Sequence, residues 1–316
     1  MPRPATVAVI DIGSNSIKLL VATRDPAAPG RLIAVHQRTE ETRIGTGITG
    51  NPPTLRDDAM ARALVSVEVL LADAAAHRAE AVRIVATSAV RDAVNRDTFI
   101  DRLRTATGHT LVVLTGAEEA AGIGRGIACD PALEGTAKFY LFDLGGGSLE
   151  MLEFHDGVVR QLASLQLGCV RVTERCVPDP QRVLTAGEIE AVRGHVRHVI
   201  RESGFRFDLA PPVVAVVTGG TATTFRAVEA AASGKAFAAT SALLPVAALN
   251  DLAARLCTLT HQGRCTIPGV PPPRADVFPA ALLTLVEVAG FARATEFRHS
   301  FYNLRFGLAA RMLETE

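Results

Sequence analysis

Alternation of apolar and polar positions picks out two stretches of the chain that read alike. From Phe139 to Phe154 (FYLFDLGGGSLEMLEF), an apolar run of Phe139, Leu141 and Phe142 ends at Asp143. Three glycines, Gly145, Gly146 and Gly147, follow, and Ser148 opens a second alternating run that holds Glu150. Runs of this kind, bounded by turn residues, predict strand, tight glycine turn, strand. From Val7 to Ala22 (VAVIDIGSNSIKLLVA) the pattern recurs: Asp11 stands where Asp143 does, Gly13 matches Gly145, Ser16 matches Ser148, and Lys18 takes the place of Glu150. One repeated unit predicts two related half-folds, each bringing a hairpin to a shared cleft.

The intervening pattern alternates strands and helices. Leu32 to His36 reads as a strand, and Thr54 with Asp57 as a cap for a helix whose stripe is Met60, Leu64, Val67 and Leu71. Val82 to Ala86 is a strand, Thr87 and Ser88 start a helix, and Asn95 caps another that Gly108 ends. Leu111 to Leu114 is a strand turning into a helix at Thr115-Gly116-Ala117-Glu118-Glu119. Gly122, Gly124 and Gly126, with Pro131 beyond, mark a weak helix end and a domain boundary. After the second hairpin come a strand near Val158 to Leu162 and a glycine turn into a helix carrying Arg171 and Arg175. Thr185 with Glu188 forms a capping box, ahead of a helix with a buried stripe from Ile189 to Val199. A strand from Pro212 to Val217, helices near Pro245 to Leu256 and up to Ala289, a strand from Glu296 to Phe301 and a final helix complete the chain. The expectation is an α/β protein with domains at 1–125 and 126–316, the last helix (302–316) packing back on the first.

The glycines carry the candidate chemistry. A triplet permits positive φ and close backbone approach, so its N–H groups can hold phosphate oxygens. A carboxylate beside such a loop calls for a cation between itself and the phosphate. Thr218-Gly219-Gly220-Thr221 is a third junction of this kind, a strand running into helix N-terminal amides. Arg91, in the first turns of its helix at a strand's carboxyl end, is either a bidentate phosphate fork or a surface partner of Asp92 or Asp97. Arg43, heading the glycine-bearing loop Glu41 to Gly50, either reaches phosphate or is solvated. Glu118 and Glu119 suit a helix start, where the macrodipole favours acids and would keep a general base ionised. Successive helical residues diverge by about 100°, so only one of the two faces a cleft, and local chemistry does not choose which. His195 and His198 lack a third ligand and read as polar surface rather than zinc ligands.

Composition narrows the partners. With 316 residues the chain has room for about two domains. Lys plus Arg equals Asp plus Glu at 33 each, so no global field draws nucleic acid. The absence of tryptophan and the presence of only two tyrosines argue against base-stacking surfaces. No apolar run is long enough to span a bilayer, and the start leads straight into the first hairpin without a cleavable signal. Five scattered cysteines without a CxxC pair fit reduced thiols, and the expected compartment is the cytoplasm.

In order, the segments IDIGSNSIKLLVA, TSAVRDAVNRD, LTGAEEA, FDLGGGSLE, SLQLGCVR, VTGGTATT, IPGVPPPRADV and LRFGL resemble the exopolyphosphatase / guanosine pentaphosphate phosphohydrolase family. The resemblance covers nearly the whole chain and matches the family's short, two-domain form. It implies an actin-like ATPase (ribonuclease H-like) fold: duplicated domains, mixed sheets flanked by helices, and a central cleft. It further implies release of orthophosphate from inorganic polyphosphate, or conversion of pppGpp to ppGpp.

The resemblance also selects Glu119 of the paired glutamates as the base for the attacking water. It gives Asp11 and Asp143 to a hydrated magnesium ion, with manganese as the alternative metal and potassium as a further candidate cation. Glu150 would assist the metal or the water, and Arg91 would neutralise the transferring group. Ser14, Asn15, Ser16, Gly145, Gly146, Gly147 and Ser148 would hold phosphates, with Gly220 and Thr221 lining the second-domain side. Phe306 replaces an acid that many relatives carry, and Lys18 lies where relatives differ. The expected assembly is a homodimer. Competing readings are an ATP-dependent small-molecule kinase of the same superfamily and a non-catalytic binder of polyphosphate or pppGpp.

Overall fold

The first glycine hairpin forms as the alternation requires. In this computed structural model, which describes residues 5–314, β1 (Thr6–Ile12) and β2 (Ile17–Asp25) pair antiparallel with Asp11 opposite Lys18. A long third strand, β3 (Ala28–Glu40), continues the meander. Then follow α1 (Asp57–Ala76), β4 (Ala81–Ala86), α2 (Ser88–Asp92), α3 (Arg96–Thr107), β5 (Leu111–Val113) and α4 (Gly116–Ile127). The sheet order is β3-β2-β1-β4-β5, with β1, β4 and β5 parallel. Ile10, Leu19, Ile84 and Phe99 are fully or almost fully buried in its core. The helix starts differ in detail from the expected caps. α1 has Arg56 at its N-cap, and the Thr54 hydroxyl donates instead to the Pro52 carbonyl at 3.1 Å. Asn95 leaves the α3 amides alone; its side chain bridges the Leu55 N–H and C=O, both at 2.9 Å.

The second half repeats the plan. Its elements are β6 (Lys138–Leu144), β7 (Leu149–His155), β8 (Val158–Leu165), α5 (Cys169–Cys176), α6 (Ala186–Glu202), β9 (Ala215–Thr218), α7 (Gly220–Ser233), β10 (Leu243–Pro245), α8 (Val246–Cys257), α9 (His261–Cys265), α10 (Phe278–Ala292) and β11 (Glu296–His299). Its sheet runs β10-β11-β9-β6-β7-β8. Read from the other edge, β8-β7-β6-β9-β11 has the order and the strand directions of β3-β2-β1-β4-β5. Asp143 pairs with Glu150 as Asp11 pairs with Lys18, so the internal repeat extends to single-residue register. Tyr140, Phe142, Phe278 and Phe297 fill the core, and the Thr185–Glu188 capping box opens α6.

The last helix, α11 (Leu304–Leu313), belongs to the first unit. One compact unit runs up to Gly135 and resumes at Tyr302; the other is Thr136–Phe301. The glycines read as a weak helix end have a different purpose. α4 runs through all three of them. A Cβ on Gly126 would stand 2.0 Å from the Asn303 carbonyl oxygen, and one on Gly307 would stand 1.9 Å from that of Gly122. The glycines let α4 and α11 touch backbone to backbone, so the break between units comes at Gly135 rather than near 125. Arg305, buried, fastens α11 to β2 by donating to the Leu19 carbonyl at 2.9 Å.

Candidate active site

In the first unit the candidate residues gather at the carboxyl ends of the parallel strands β1, β4 and β5, where α/β sheets place ligands. Gly13 closes the first turn by donating its N–H to the Ser16 carbonyl at 3.1 Å. The Ser14 carbonyl accepts from the Gly45 N–H at 2.8 Å, and the Asn15 carbonyl from the Arg43 N–H at 2.9 Å. A planar trans peptide points its N–H opposite its C=O, so these bonds turn the amides of Asn15 and Ser16 the other way. The Glu41–Gly50 loop is therefore a buttress for the hairpin. Arg43 occupies it in the left-handed region (φ 53°), and Glu41 takes the Asn15 Nδ2 donor at 2.5 Å.

The paired glutamates divide their tasks. Glu118 completes a capping box, its carboxylate accepting from the Thr115 N–H and hydroxyl, both at 2.8 Å. The Thr115 amide accordingly holds the Glu118 carboxyl below the usual range. Glu119, one residue on and turned about 100° away, is only 6% exposed. It accepts from Arg91 Nη1 at 2.7 Å, and the same nitrogen donates to the Leu114 carbonyl at 3.0 Å. The main partner of Arg91 is thus Glu119, which neither local alternative named; Asp92 is a longer contact at 3.7 Å.

The second unit holds its glycine loop from behind. Gly145 N–H closes the turn on the Ser148 carbonyl at 3.0 Å. The Gly145 carbonyl then accepts from Cys169 N–H (3.0 Å), that of Gly146 from Val170 and Arg171 N–H (2.9 and 3.3 Å), and that of Gly147 from Arg171 Nε (3.0 Å). The N-terminal amides of α5 thus take the loop's carbonyls, and the amides of Gly146, Gly147 and Ser148 turn outward. Gly168 permits the approach, since its Cβ would fall 2.3 Å from the Gly146 and Gly147 backbone.

Beside this loop, Asp143 is in register with Glu150 on one side and Thr218 on the other. Gly219 (φ 101°) brings the next turn so near that its Cβ would stand 3.0 Å from Asp143 Oδ1. A Cβ on Gly220 would lie 2.6 Å from Arg274 Nη1. The hydroxyls of Thr218 and Thr221 and the Nε of Arg274 are buried without hydrogen-bond partners. Such orphaned donors are costly unless a ligand completes them. Two residues have no role in the sequence reading. Arg171 is placed on the helix after the glycine turn without one, and Arg274 is an arginine between a proline turn and an apolar helix; a charge in apolar surroundings is the available signal in each.

Among the described residues no three His, Cys, Asp or Glu side chains converge as a metal cage. Beside the hairpins each unit on its own offers Asp11 in the first and the Asp143–Glu150 pair in the second. A set of one or two carboxylates fits magnesium, which keeps most of its waters and adds substrate oxygens. It does not fit a caged zinc.

Fold and site together define an α/β protein of two like units, each with a glycine hairpin at the head of its parallel strands. The chain belongs to the Ppx/GppA phosphatase family, whose model matches residues 8–316. It is 36% identical over 293 residues to exopolyphosphatase 2 of Mycobacterium tuberculosis, covering 90% of this chain and 89% of that one. It is 26% identical to a guanosine-5'-triphosphate,3'-diphosphate pyrophosphatase of Vibrio atlanticus, over 98% of this chain but 60% of that longer protein. The crystal structure of an exopolyphosphatase from Cytophaga hutchinsonii superposes with a TM-score of 0.84 over 98% of both chains, at 22% identity. No helix among the described residues is long and apolar enough to cross a membrane.

Proposed function

We propose that the chain hydrolyses a terminal phosphoanhydride, releasing orthophosphate from inorganic polyphosphate or from pppGpp. The observation that carries this reading is the pairing of buried Glu119 with half-buried Arg91 at the carboxyl ends of β4 and β5. Phosphoryl transfer needs little covalent help from a protein; it needs a positioned nucleophile and neutralised charge. Glu119 is the base that orients water and takes its proton. Arg91 fixes that carboxylate through Nη1, and the rest of its five-donor guanidinium serves the phosphoryl oxygens. The outward amides of Asn15 and Ser16, and of Gly146, Gly147 and Ser148, bind the phosphate chain. Arg274 and Thr221 complete an anion position at the start of α7. Asp11 and Asp143, the latter in register with Glu150, are the carboxylates proposed to hold magnesium, which would supply charge neutralisation at the phosphoryl oxygens.

The test is orthophosphate release from tripolyphosphate, long-chain polyphosphate, pppGpp and ATP, with magnesium present and absent. Glu119→Ala is expected to abolish turnover while substrate binding persists. Wild-type rates in Glu119→Ala would overturn the base assignment. Phosphate transfer to an added sugar in place of release to water would overturn the reaction class.

A further inference from the structure

A polar row crosses four strands of the second sheet. Thr218 on β9 is in register with Asp143 on β6, Asp143 with Glu150 on β7, and Glu150 with Ser164 on the edge strand β8. Residues directly opposite on neighbouring strands share a face, which brings their side chains together. Ser164 has no place in the chemistry described so far. Its hydroxyl donates to Glu150 Oε1 at 2.8 Å, and Glu150 is only 2% exposed. Three side-chain torsions separate a glutamate carboxylate from its strand, and burial restricts them without selecting one orientation of the terminal plane. The short, charge-assisted hydrogen bond from Ser164 favours one, whatever else the carboxylate meets.

We propose that Ser164 is a positioning residue for the hydrolysis: it fixes the Glu150 carboxylate so that one orientation beside Asp143 is kept through turnover. This inference rests on the role given to Glu150 under the proposed function. Its location on an edge strand makes the contact separable from folding. β8 is the last strand of its sheet and Ser164 is half-buried, so alanine removes the hydroxyl and threonine keeps it without entering the fully buried core.

The experiment uses the full chain with magnesium and inorganic tripolyphosphate, and compares Ser164→Ala, Ser164→Thr, Glu150→Met and the Ser164→Ala/Glu150→Met double variant. Removing a residue that orients an active-site ligand lowers activity by about 10-fold or more. Ser164→Ala should therefore lose about 10-fold in kcat, with KM within about twofold of wild type, as expected when ground-state binding is spared. Ser164→Thr, which keeps the hydroxyl, should restore the rate. In the Glu150→Met background Ser164→Ala should cost nothing further, since interacting positions are non-additive.

A second measurement needs neither metal nor substrate. Ser164→Ala should lower the unfolding midpoint by about 2–6 °C in the wild-type background and leave it unchanged in Glu150→Met. Wild-type kcat in Ser164→Ala, failure of Ser164→Thr to restore it, or equal losses in both backgrounds would overturn the proposal. A wild-type chain that releases no phosphate from tripolyphosphate or pppGpp would overturn the hydrolase reading and this role with it. An active wild type with an indifferent Ser164→Ala overturns only the role of Ser164.

Discussion

Replacing Gly168 by alanine tests whether α5 sets the geometry of the triglycine loop. The new Cβ would lie 2.3 Å from Gly146 C and from Gly147 N and C, all backbone atoms that no rotamer change can move aside. Ordinary contact begins about 3.5 Å apart, so the loop or α5 must withdraw by roughly 1 Å. The hydrogen bonds from Cys169, Val170 and Arg171 to the loop carbonyls, now 2.9 to 3.3 Å, would stretch past the useful range. Overpacking of this kind costs about 1–3 kcal/mol, which in a unit of this size lowers the unfolding midpoint by roughly 2–12 °C. Displacing a binding loop by about 1 Å costs on the order of 100-fold in rate. Gly194→Ala on α6 is the control: a Cβ there meets nothing within 4 Å, and helix propensity favours alanine by up to about 1 kcal/mol. Phosphate release and thermal unfolding are measured on both variants. If Gly168→Ala keeps wild-type activity and melts within about 1 °C of wild type, the account of the loop as held from α5 is wrong.

Glu118→Ala removes only the N3 partner of the Thr115 capping box, so it should lower the unfolding midpoint slightly with turnover retained, in contrast to Glu119→Ala in the same assays. Gly126→Ala drives a methyl into the Asn303 carbonyl and should destabilise the first unit severely, seen as loss of the folded fraction in thermal or urea unfolding. His299 is held neutral in the fold, its pKa lowered to about 4, first by burial and then by Arg226, whose Nη1 is 3.2 Å from Nδ1. Below its ordinary value of about 6.5 the unfolded chain takes up a proton that the folded chain refuses, so stability falls as pH drops from about 6.5 toward 4, by about 3 kcal/mol in full. Urea unfolding between pH 7 and 4.5 should show this slope in wild type and a shallower one in His299→Gln.

The hairpins were legible because strand alternation and glycine turns are local signals, and the repeat made each support the other. The alignment of Lys18 with Glu150 holds in the structure, where they stand opposite Asp11 and Asp143; the register itself came only from the structure. Caps were read less well. A threonine or asparagine near a helix start has several backbone partners within reach, and at Thr54 and Asn95 a loop contact won over the helix amides. The glycines of α4 misled for a different reason. Their cause is a contact with α11, almost two hundred positions along the chain, and no local propensity reports a partner so distant. Glu118 and Glu119 are equivalent in composition and differ only in direction, so the capping box and the Arg91 contact had to be seen in three dimensions.

Duplication explains why the halves look alike, and its breakdown explains why they need not act alike. Strands β1, β4 and β5 correspond to β6, β9 and β11 in order and direction. After β5 the chain turns directly into α4, which carries Glu119 in its first turn. After β11 it leaves the second unit at Phe301 and forms α11 in the first, so the second unit has no helix start at that place to carry an equivalent glutamate. The hairpins diverge in the opposite sense: the second pairs two carboxylates where the first pairs Asp11 with Lys18. A duplicated protein with a base on both sides could present water to either end of a phosphate chain. Under the proposed function the only base assigned is Glu119, in the unit whose hairpin keeps the lysine. If the proposed roles hold, Glu119→Ala combined with Lys18→Glu should accordingly remain inactive in the phosphate-release assay, because a carboxylate added to the hairpin makes the two hairpins alike and does not replace the base.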